Sequence, residues 1–187
     1  LLSPTNIIHI FHKNFTFASN LRGCKNFMLR KVKFTDASAI TDIYNRYIAE
    51  TTISFETECL TEKDMMERIC DISEKYPYFV WEENGKPVGY CYAHPWKERA
   101  AYSRTLETTI YIDNTWQRRG IGHRLMKALI DECRIKGYHA LIACVTGDNE
   151  ASIKMHESLG FSKVSCFKEV GYKHGQILDV VDLELLL

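Results

Sequence analysis

Residues 117–122, with the sequence QRRGIG, have the residue types of an anion-binding loop. The loop lies between a β-branched stretch and a helical pattern, so the first helical N–H groups and the positive end of the helix dipole would face a bound anion. Two early helical glycines cost about 1 kcal/mol each relative to alanine, whereas Arg118 and Arg119 add positive charge. We therefore favour a pyrophosphate site over a helix start that merely tolerates glycine.

Other cofactor motifs fit this chain poorly. No Gly-Lys-Ser/Thr follows the glycines, as a P-loop requires. A dinucleotide fingerprint needs a third glycine and a ribose-binding acid about twenty residues further on. The pairs Cys91-x-x-His94 and His9-x-x-His12 each lack the remaining ligands of a metal site, so we expect no metal.

Composition narrows the class of protein. The 24 Lys and Arg residues balance 24 Asp and Glu residues, which argues against a nucleic-acid partner. No apolar run reaches the roughly eighteen residues of a membrane-spanning helix. The seven cysteines are scattered without a Cys-x-x-Cys pair, which predicts buried thiols in a reducing cytoplasm.

Residues 1–27 differ from the rest of the chain. They contain no acidic residue and show no clear period, and His9, His12 and Lys13 interrupt the apolar centre that a signal peptide needs. We expect 1–27 to be an N-terminal extension outside the domain and 28–187 to form one domain. An ordered arm packed on the surface is the alternative.

The periodicity after Met28 predicts interleaved strands and helices. Helices are expected over about 36–48, 61–74, 121–137 and 149–159. Strands are expected at 29–34, 78–81, 87–93, 106–112, 140–145, 162–170 and 177–186. Because the elements alternate without a strict βαβ repeat, we predict an α/β (α+β) fold, with a mixed sheet and helices on both faces.

Several motifs, in this order, make the chain resemble the GNAT N-acetyltransferases. The general motifs are Gln117-x-x-Gly120-x-Gly122, Asn149-x-x-Ser152 and His156 to Phe161. Further segments are similar to the phosphinothricin N-acetyltransferase branch: Tyr76-Pro77, Gly89-Tyr90, Pro95-Trp96-Lys97, Arg99, Ala101-Tyr102, Glu107-x-x-Ile110-Tyr111-Ile112 and Gly171 to Gly175. The resemblance covers about residues 29–185 and implies the GNAT fold, with a central twisted mixed sheet, and a homodimer.

The resemblance also implies roles for residues. The backbone at Ile110, Tyr111 and Ile112 would pair with the pantetheine arm of acetyl-CoA. The pyrophosphate and the rest of the cofactor would contact Arg118, Arg119, Gly120, Ile121, Gly122, His123 and Asn149. Glu107 corresponds to the proposed general base, and His156 lies where relatives place a residue near the departing thiolate.

Amide formation needs such groups whatever the family. An alkyl ammonium with a pKa like that of lysine, about 10, must lose a proton before it attacks a thioester. The tetrahedral oxyanion needs a donor, for which the N–H of Ile110 is the candidate. By residue pattern alone, Glu107 is as readily a solvated strand residue, and His156 is as readily a satisfied core histidine.

The resemblance implies a small amino-acid-like acceptor, such as phosphinothricin, methionine sulfoximine or methionine sulfone, attacking directly in a ternary complex. Candidate acceptor-binding residues are Phe55, Arg99, Tyr102 and Lys173. The chain departs from close phosphinothricin enzymes at three places, where it carries Arg104, Ile177-Leu178 and Glu56. Alternatives are a GNAT that acts on a polyamine, an aminoglycoside or a protein N-terminus, and a non-catalytic acyl-CoA-binding module.

Overall fold

A computed structural model describes residues 27–187, which form one seven-stranded sheet and four α-helices. The strands are β1 (Phe27–Lys31), β2 (Tyr78–Glu83), β3 (Lys86–Pro95), β4 (Thr105–Ile112), β5 (Ala140–Thr146), β6 (Ser162–Lys173) and β7 (Gln176–Leu186). The helices are α1 (Ala37–Glu50), α2 (Glu62–Ser73), α3 (Ile121–Ile135) and α4 (Glu150–Ser158). The strand order is β1-β2-β3-β4-β5-β7-β6, and only β4 and β5 are parallel neighbours.

Two apolar layers hold helices on both faces of the sheet, which confirms the predicted fold class. On one face α3 buries Leu125, Met126 and Leu129 against the sheet. On the other face α1 and α2 bury side chains that include Ile40 and Ile69. The i, i+4 spacing of these apolar residues gives each helix one inward stripe, as the sequence predicted.

The first strand differs from its prediction at both ends. It spans residues 27–31 instead of 29–34, because Phe34 begins a short 3-10 turn, Phe34–Asp36. The Asp36 carboxylate fixes this turn by accepting from the N–H of Lys33 at 2.7 Å and from the Arg30 guanidinium. Phe27, which was expected to belong to the extension, pairs with Glu83 in the sheet. The rest of the predicted extension lies outside the described residues.

The sheet opens where its two parallel strands meet. β4 and β5 pair only at Thr105↔Ala140, Leu106↔Leu141 and Glu107↔Ile142. Beyond these pairs β4 continues along β3 while β5 continues along β7. The edges of β4 and β5 that face each other are therefore left without a strand partner. The residue pattern within β4 and β5 does not encode this gap.

The cysteine prediction is only partly correct. Cys91 and Cys133 are buried in the core as expected, but Cys59, Cys70, Cys144 and Cys166 are exposed. Within residues 27–187 all of these thiols are free. No helix in this range is both long enough and apolar enough to cross a membrane.

Candidate functional site

A cavity of about 320 Å³ occupies the gap between β4 and β5. One wall is β4, the other is β5 with the start of α4, and the loop after α1 closes one side. The lining residues are Ile53, Phe55, Glu107, Thr108, Thr109, Ile110, Tyr111, Ala143, Cys144, Val145, Thr146, Asn149, Ser152, His156 and Val180. The structure therefore brings together Glu107, Ile110, Tyr111, Asn149, His156 and Phe55 from the predicted site.

The backbone of Ile110 faces this cavity. The β3–β4 ladder is bracketed by two hydrogen bonds, from the N–H of Trp96 to the carbonyl of Thr105 at 3.4 Å and from the N–H of Asp113 to the carbonyl of Val88 at 2.8 Å. Bonded and non-bonded pairs alternate along an antiparallel ladder. Odd-numbered β4 residues therefore bond to β3, and the N–H and carbonyl of Ile110 turn towards the gap.

The same alternation refines the predicted roles of Tyr111 and Ile112. Tyr111 is odd-numbered, so its backbone groups belong to the β3–β4 ladder and only its side chain lines the cavity. Ile112 turns its carbonyl towards the gap, but the Tyr47 hydroxyl donates to that carbonyl at 2.6 Å. Of the three residues expected to pair with a ligand through their backbone, Ile110 is the one with both groups directed at the cavity.

The start of α3 leaves several backbone N–H groups without a partner within the helix. Arg118 and Gly120 both have positive φ, 59° and 75°, which turns the backbone N–H groups of this loop in a common direction. Gly120 is the N-cap, and the helix has neither a side-chain cap nor an acidic residue in its first turn. The N–H groups of Ile121, Gly122 and His123 have no acceptor within the helix, so they are available to donate hydrogen bonds to an anion.

Only one of the two glycines serves the anion loop through its backbone freedom. Gly120 has a left-handed conformation and open space around it. Gly122 instead allows close packing, because a Cβ there would lie 3.0 Å from the Sδ of Met155 in α4. Arg119 lies over the Trp116 ring at 4.4 Å and donates to the carbonyl of Thr115, so its guanidinium is held beside the loop.

Glu107 lines the cavity and is the last β4 residue that pairs with β5, opposite Ile142. Its carboxylate faces the His94 Nε2 atom across the β3–β4 ladder, 3.9 Å from Oε1. Burial raises the pKa of Glu107, with Asp182 adding to the shift, while His94 and the Cys144 thiol oppose it. A carboxylate with a raised pKa is a better proton acceptor at neutral pH than an ordinary one, because its proton affinity is higher.

His156 lines the cavity, and one of its ring nitrogens is buried without a hydrogen-bond partner among the described residues. Its Nδ1 lies 2.8 Å from the carbonyl of Ser152, one turn earlier in α4. A carbonyl only accepts, so Nδ1 carries the hydrogen and Nε2 of the neutral ring carries the lone pair. The residue is only 2% exposed and Nε2 has no hydrogen-bond partner. Burial lowers the pKa of His156, which favours this neutral acceptor form.

Asn149 and Phe55 are placed at the cavity by different contacts. The Asn149 side chain caps α4 by accepting from the N–H of Ser152 at 3.2 Å. Phe55 packs against Gly171, where any Cβ would lie 2.6 Å from its ring. Lys173 fixes the loop that carries Phe55 by donating to the carbonyl of Ser54 at 2.6 Å.

Three predicted acceptor-binding residues do not line the cavity. Lys173 is 3% exposed and bonds to backbone carbonyls, and burial lowers its pKa. Arg99 is exposed just before the 3-10 turn Ala100–Tyr102. Tyr102 packs edge-on against Trp96 with ring centroids 5.2 Å apart. Residue type suggested these roles, but long-range packing determines where the groups lie.

The sequence did not identify three residues around Glu107 and Phe55. His94 was considered only as part of an incomplete metal motif, and Cys144 only as a buried thiol. Arg68 pairs with Glu56, the residue after Phe55, at 3.0 Å. The register of β3 against β4 places His94 opposite Glu107. The sequence does not predict this register, because the length of the loop between the two strands does not determine it.

Comparison with known proteins gives a consistent set of relatives. Residues 40–161 match the model of the Acetyltransferase (GNAT) family. The chain is 34% identical over 152 residues to phosphinothricin N-acetyltransferase of Streptomyces viridochromogenes, covering 81% of this chain and 83% of the relative. It is 33% identical over 156 residues to the L-methionine sulfoximine/L-methionine sulfone acetyltransferase of Salmonella typhimurium, covering 81% of this chain and 90% of the relative.

A solved structure shares the fold. The GNAT superfamily phosphinothricin acetyltransferase of Sinorhizobium meliloti, in complex with acetyl-CoA, superposes with a TM-score of 0.84 at 32% identity. The match covers 86% of this chain and 88% of that one. The agreement extends over the whole sheet and is therefore not confined to the anion loop.

Proposed function

The chain belongs to the acetyltransferase (GNAT) family, and from that premise we propose that it transfers an acetyl group from acetyl-CoA to the primary amine of a small amino-acid-like acceptor. The acceptor is of the phosphinothricin, methionine sulfoximine or methionine sulfone type. The observation that carries this proposal is the gap between β4 and β5, which forms one cavity lined by Ile110, Glu107 and His156.

The cofactor half of the proposal uses the α3 terminus and the free edge of β4. The N–H groups that open α3 hold the pyrophosphate, and Arg118 and Arg119 add charge nearby. The backbone of Ile110 pairs with the pantetheine arm as a neighbouring strand would. Asn149 closes the far side of the cavity. This arrangement directs the thioester carbonyl towards the floor of the gap, where Glu107 lies.

Proton transfers follow from the two groups on the cavity walls. Glu107 removes a proton from the acceptor ammonium, and the free amine attacks the thioester carbonyl. The Ile110 N–H donates to the oxyanion. The attacking nitrogen must then lose a second proton while the sulfur gains one. His156, a cavity-lining residue with a neutral ring, takes that proton on Nε2 and delivers it to the departing sulfur.

Direct attack in a ternary complex is the favoured route. Cys144 is a cavity-lining thiol that could carry the acetyl group in an alternative, two-step route. Although Cys144 is exposed by its total surface, the protein atoms around its thiol desolvate it, and together with the neighbouring charge of Glu107 they raise its pKa, so the nucleophilic thiolate is disfavoured. Initial-velocity lines that intersect, and an unmodified protein mass after incubation with acetyl-CoA alone, are expected. Parallel lines and an acetylated protein would instead indicate the two-step route.

The acceptor preference is set beside Phe55. The Arg68 guanidinium there is already neutralised by Glu56. An acceptor with a second anionic group therefore gains little attraction from this arginine, whereas an uncharged sulfone or sulfoximine group does not depend on it. We expect methionine sulfone and methionine sulfoximine to be better acceptors than phosphinothricin. Arg104 has no part in this choice, since it donates to the carbonyl of Gly137.

A thiol-release assay tests the function. Purified protein is mixed with acetyl-CoA and with methionine sulfone, methionine sulfoximine, phosphinothricin, a polyamine, an aminoglycoside or a peptide with a free N-terminus. Turnover with the amino-acid analogues supports the proposal, and turnover with another amine alone redirects the acceptor assignment. Binding of coenzyme A without turnover of any amine would identify a binding module. Absence of coenzyme A binding in calorimetry would remove the whole assignment.

We also propose a homodimer assembled through the sheet edge. β6 is the last strand of the sheet and is twelve residues long. Exposed apolar side chains lie along β6 and just after the turn that follows it: Val164, Phe167, Val170, Tyr172 and Ile177. Such an edge needs cover in a soluble protein. Light scattering should give twice the monomer mass, and Phe167→Asp should shift the protein towards the monomer. A monomeric wild-type protein at micromolar concentration would overturn this proposal.

A further inference from the structure

His94 is poised to take up the proton that Glu107 collects. Acetylation of an ammonium by a thioester yields an amide, a thiol and one free proton, so one proton must leave the site in every cycle. Glu107 has 28% of its side chain exposed, and it lines the cavity that the two substrates fill in the proposed function. His94 lies directly across the ladder on β3, with 32% of its side chain exposed. It therefore borders both the carboxylate and the solvent.

The tautomer of His94 suits this task. Its Nδ1 lies 3.1 Å from the carbonyl of Pro95. Because a carbonyl only accepts, Nδ1 carries the hydrogen and the lone pair of the neutral ring is on Nε2. Nε2 is the atom that faces Glu107 Oε1 at 3.9 Å. Catalytic hydrogen bonds are often long in ligand-free proteins and shorten when substrate binds.

Among the residues of 27–187 that face Glu107, the other groups do not offer the same exit for the proton. From β5 the Cys144 thiol faces the carboxylate, and burial raises its pKa, so it holds its own proton. From β7 comes Asp182, whose Oδ2 accepts from the Ser165 hydroxyl at 2.9 Å. On the His94 side the nearest ring is Tyr92, with centroids 5.8 Å apart. Among these described neighbours, His94 alone combines an available lone pair with access to solvent.

We propose that His94 is a positioning residue that receives the acceptor's proton from Glu107 and releases it to solvent. This inference rests on the proposed function. In the step, the Oε1–H bond of protonated Glu107 breaks and an Nε2–H bond forms, giving carboxylate and imidazolium. The imidazolium then loses one proton to water and returns to the neutral ring. Glu107 is thereby ready for the next ammonium.

The test compares His94→Ala and His94→Gln with wild type in multiple-turnover reactions with saturating acetyl-CoA and methionine sulfone, in a dilute non-nucleophilic buffer. We expect the rate to fall by a factor on the order of 10 in both variants, less than the 10²–10⁴ of a direct base. Acetyl-CoA affinity and melting temperature should be unchanged. Added imidazole at fixed pH and ionic strength should restore the rate of His94→Ala.

The matched control is His139→Gln, since His139 is an exposed histidine just before β5 and away from the cavity. Its rate should equal that of wild type, with no response to imidazole. Wild-type rates in both His94 variants would overturn the inference. So would a loss that imidazole does not restore, because this would mean a structural or substrate-binding role. Failure of wild type to acetylate any amine would instead count against the proposed function.

Discussion

Replacing Glu107 by glutamine is the most direct test of the site. Glutamine has the same shape and keeps the hydrogen-bonding reach of the carboxylate, but it cannot accept a proton from an ammonium. The groups proposed to hold the cofactor, the start of α3 and the Ile110 backbone, are untouched. Glu107→Gln should therefore separate turnover from cofactor binding.

The size of the effect follows from the role of the base. Loss of a positioned general base lowers a rate by about 10²–10⁴, equivalent to about 2.7–5.4 kcal/mol at 1.36 kcal/mol per tenfold change. Thiol release should fall within this range, while the calorimetric Kd for acetyl-CoA should change less than about twofold. Glu107→Asp is the control, because it retains a carboxylate and should keep more activity than the glutamine variant.

The pH profile gives an independent check. Protonated Glu107 cannot act as a base, so the rate falls as pH drops through its pKa. Because burial raises that pKa, the acid limb of wild type should lie above the ordinary glutamate value of about 4.3. Residual activity of Glu107→Gln should lack this limb.

Stability should change in the opposite direction from activity. A carboxyl group whose folded-state pKa is raised makes the folded protein less stable at a pH where the group is charged in both states. Removing the charge should therefore leave the melting temperature at pH 7 equal to or above that of wild type. Glu107→Gln with wild-type turnover would refute the reasoning, and so would a lowered melting temperature together with lost cofactor binding.

Two further predictions concern the scaffold. Gly120→Ala and Gly137→Ala both place a side chain at positive φ, 75° and 79°, in open space, so each should destabilise the fold by about 1–2 kcal/mol in thermal melts. Only Gly120→Ala should weaken acetyl-CoA binding, as measured by calorimetry. Equal weakening by both variants would contradict a cofactor-binding role for the start of α3. Arg30→Met removes a buried guanidinium that pairs with two carboxylates at 2.7 Å, so urea unfolding should show a loss of about 3–5 kcal/mol. Arg46→Met, at a half-exposed pair of 3.5 Å, should lose about 0–1 kcal/mol.

Local signals predicted the elements well. The Thr61–Asp64 capping box opens α2, at the start of the helix predicted over 61–74, with the Asp64 N–H donating to the Thr61 hydroxyl. The Asn84-Gly85 turn joins β2 and β3, and both residues have the positive φ that such turns need. These features depend on residues close together in the chain, so the sequence alone contained the information.

Contacts between residues far apart in the chain could not be predicted from local sequence signals. Lys173 was a plausible partner for a carboxylate until the fold placed its ammonium on the carbonyl of Ser54, 119 positions earlier in the chain. Ile110 differs from Tyr111 only through the phase of a ladder set by β3. His94 and Glu107 meet because two strands align in one register. No periodicity within a strand encodes these pairings.

The three residue pairs that join β4 to β5 have a mechanical consequence. They tie together two blocks of sheet, β1–β4 and β5–β7, that otherwise share few backbone bonds. A ligand that contacts both β4 and β5 across the opening takes the place of the missing strand pairing and couples the two blocks. At a concentration 100 times its Kd such a ligand adds about 2.7 kcal/mol to stability. Amide exchange should slow most along the free edges of β4 and β5, even for residues that do not contact the ligand.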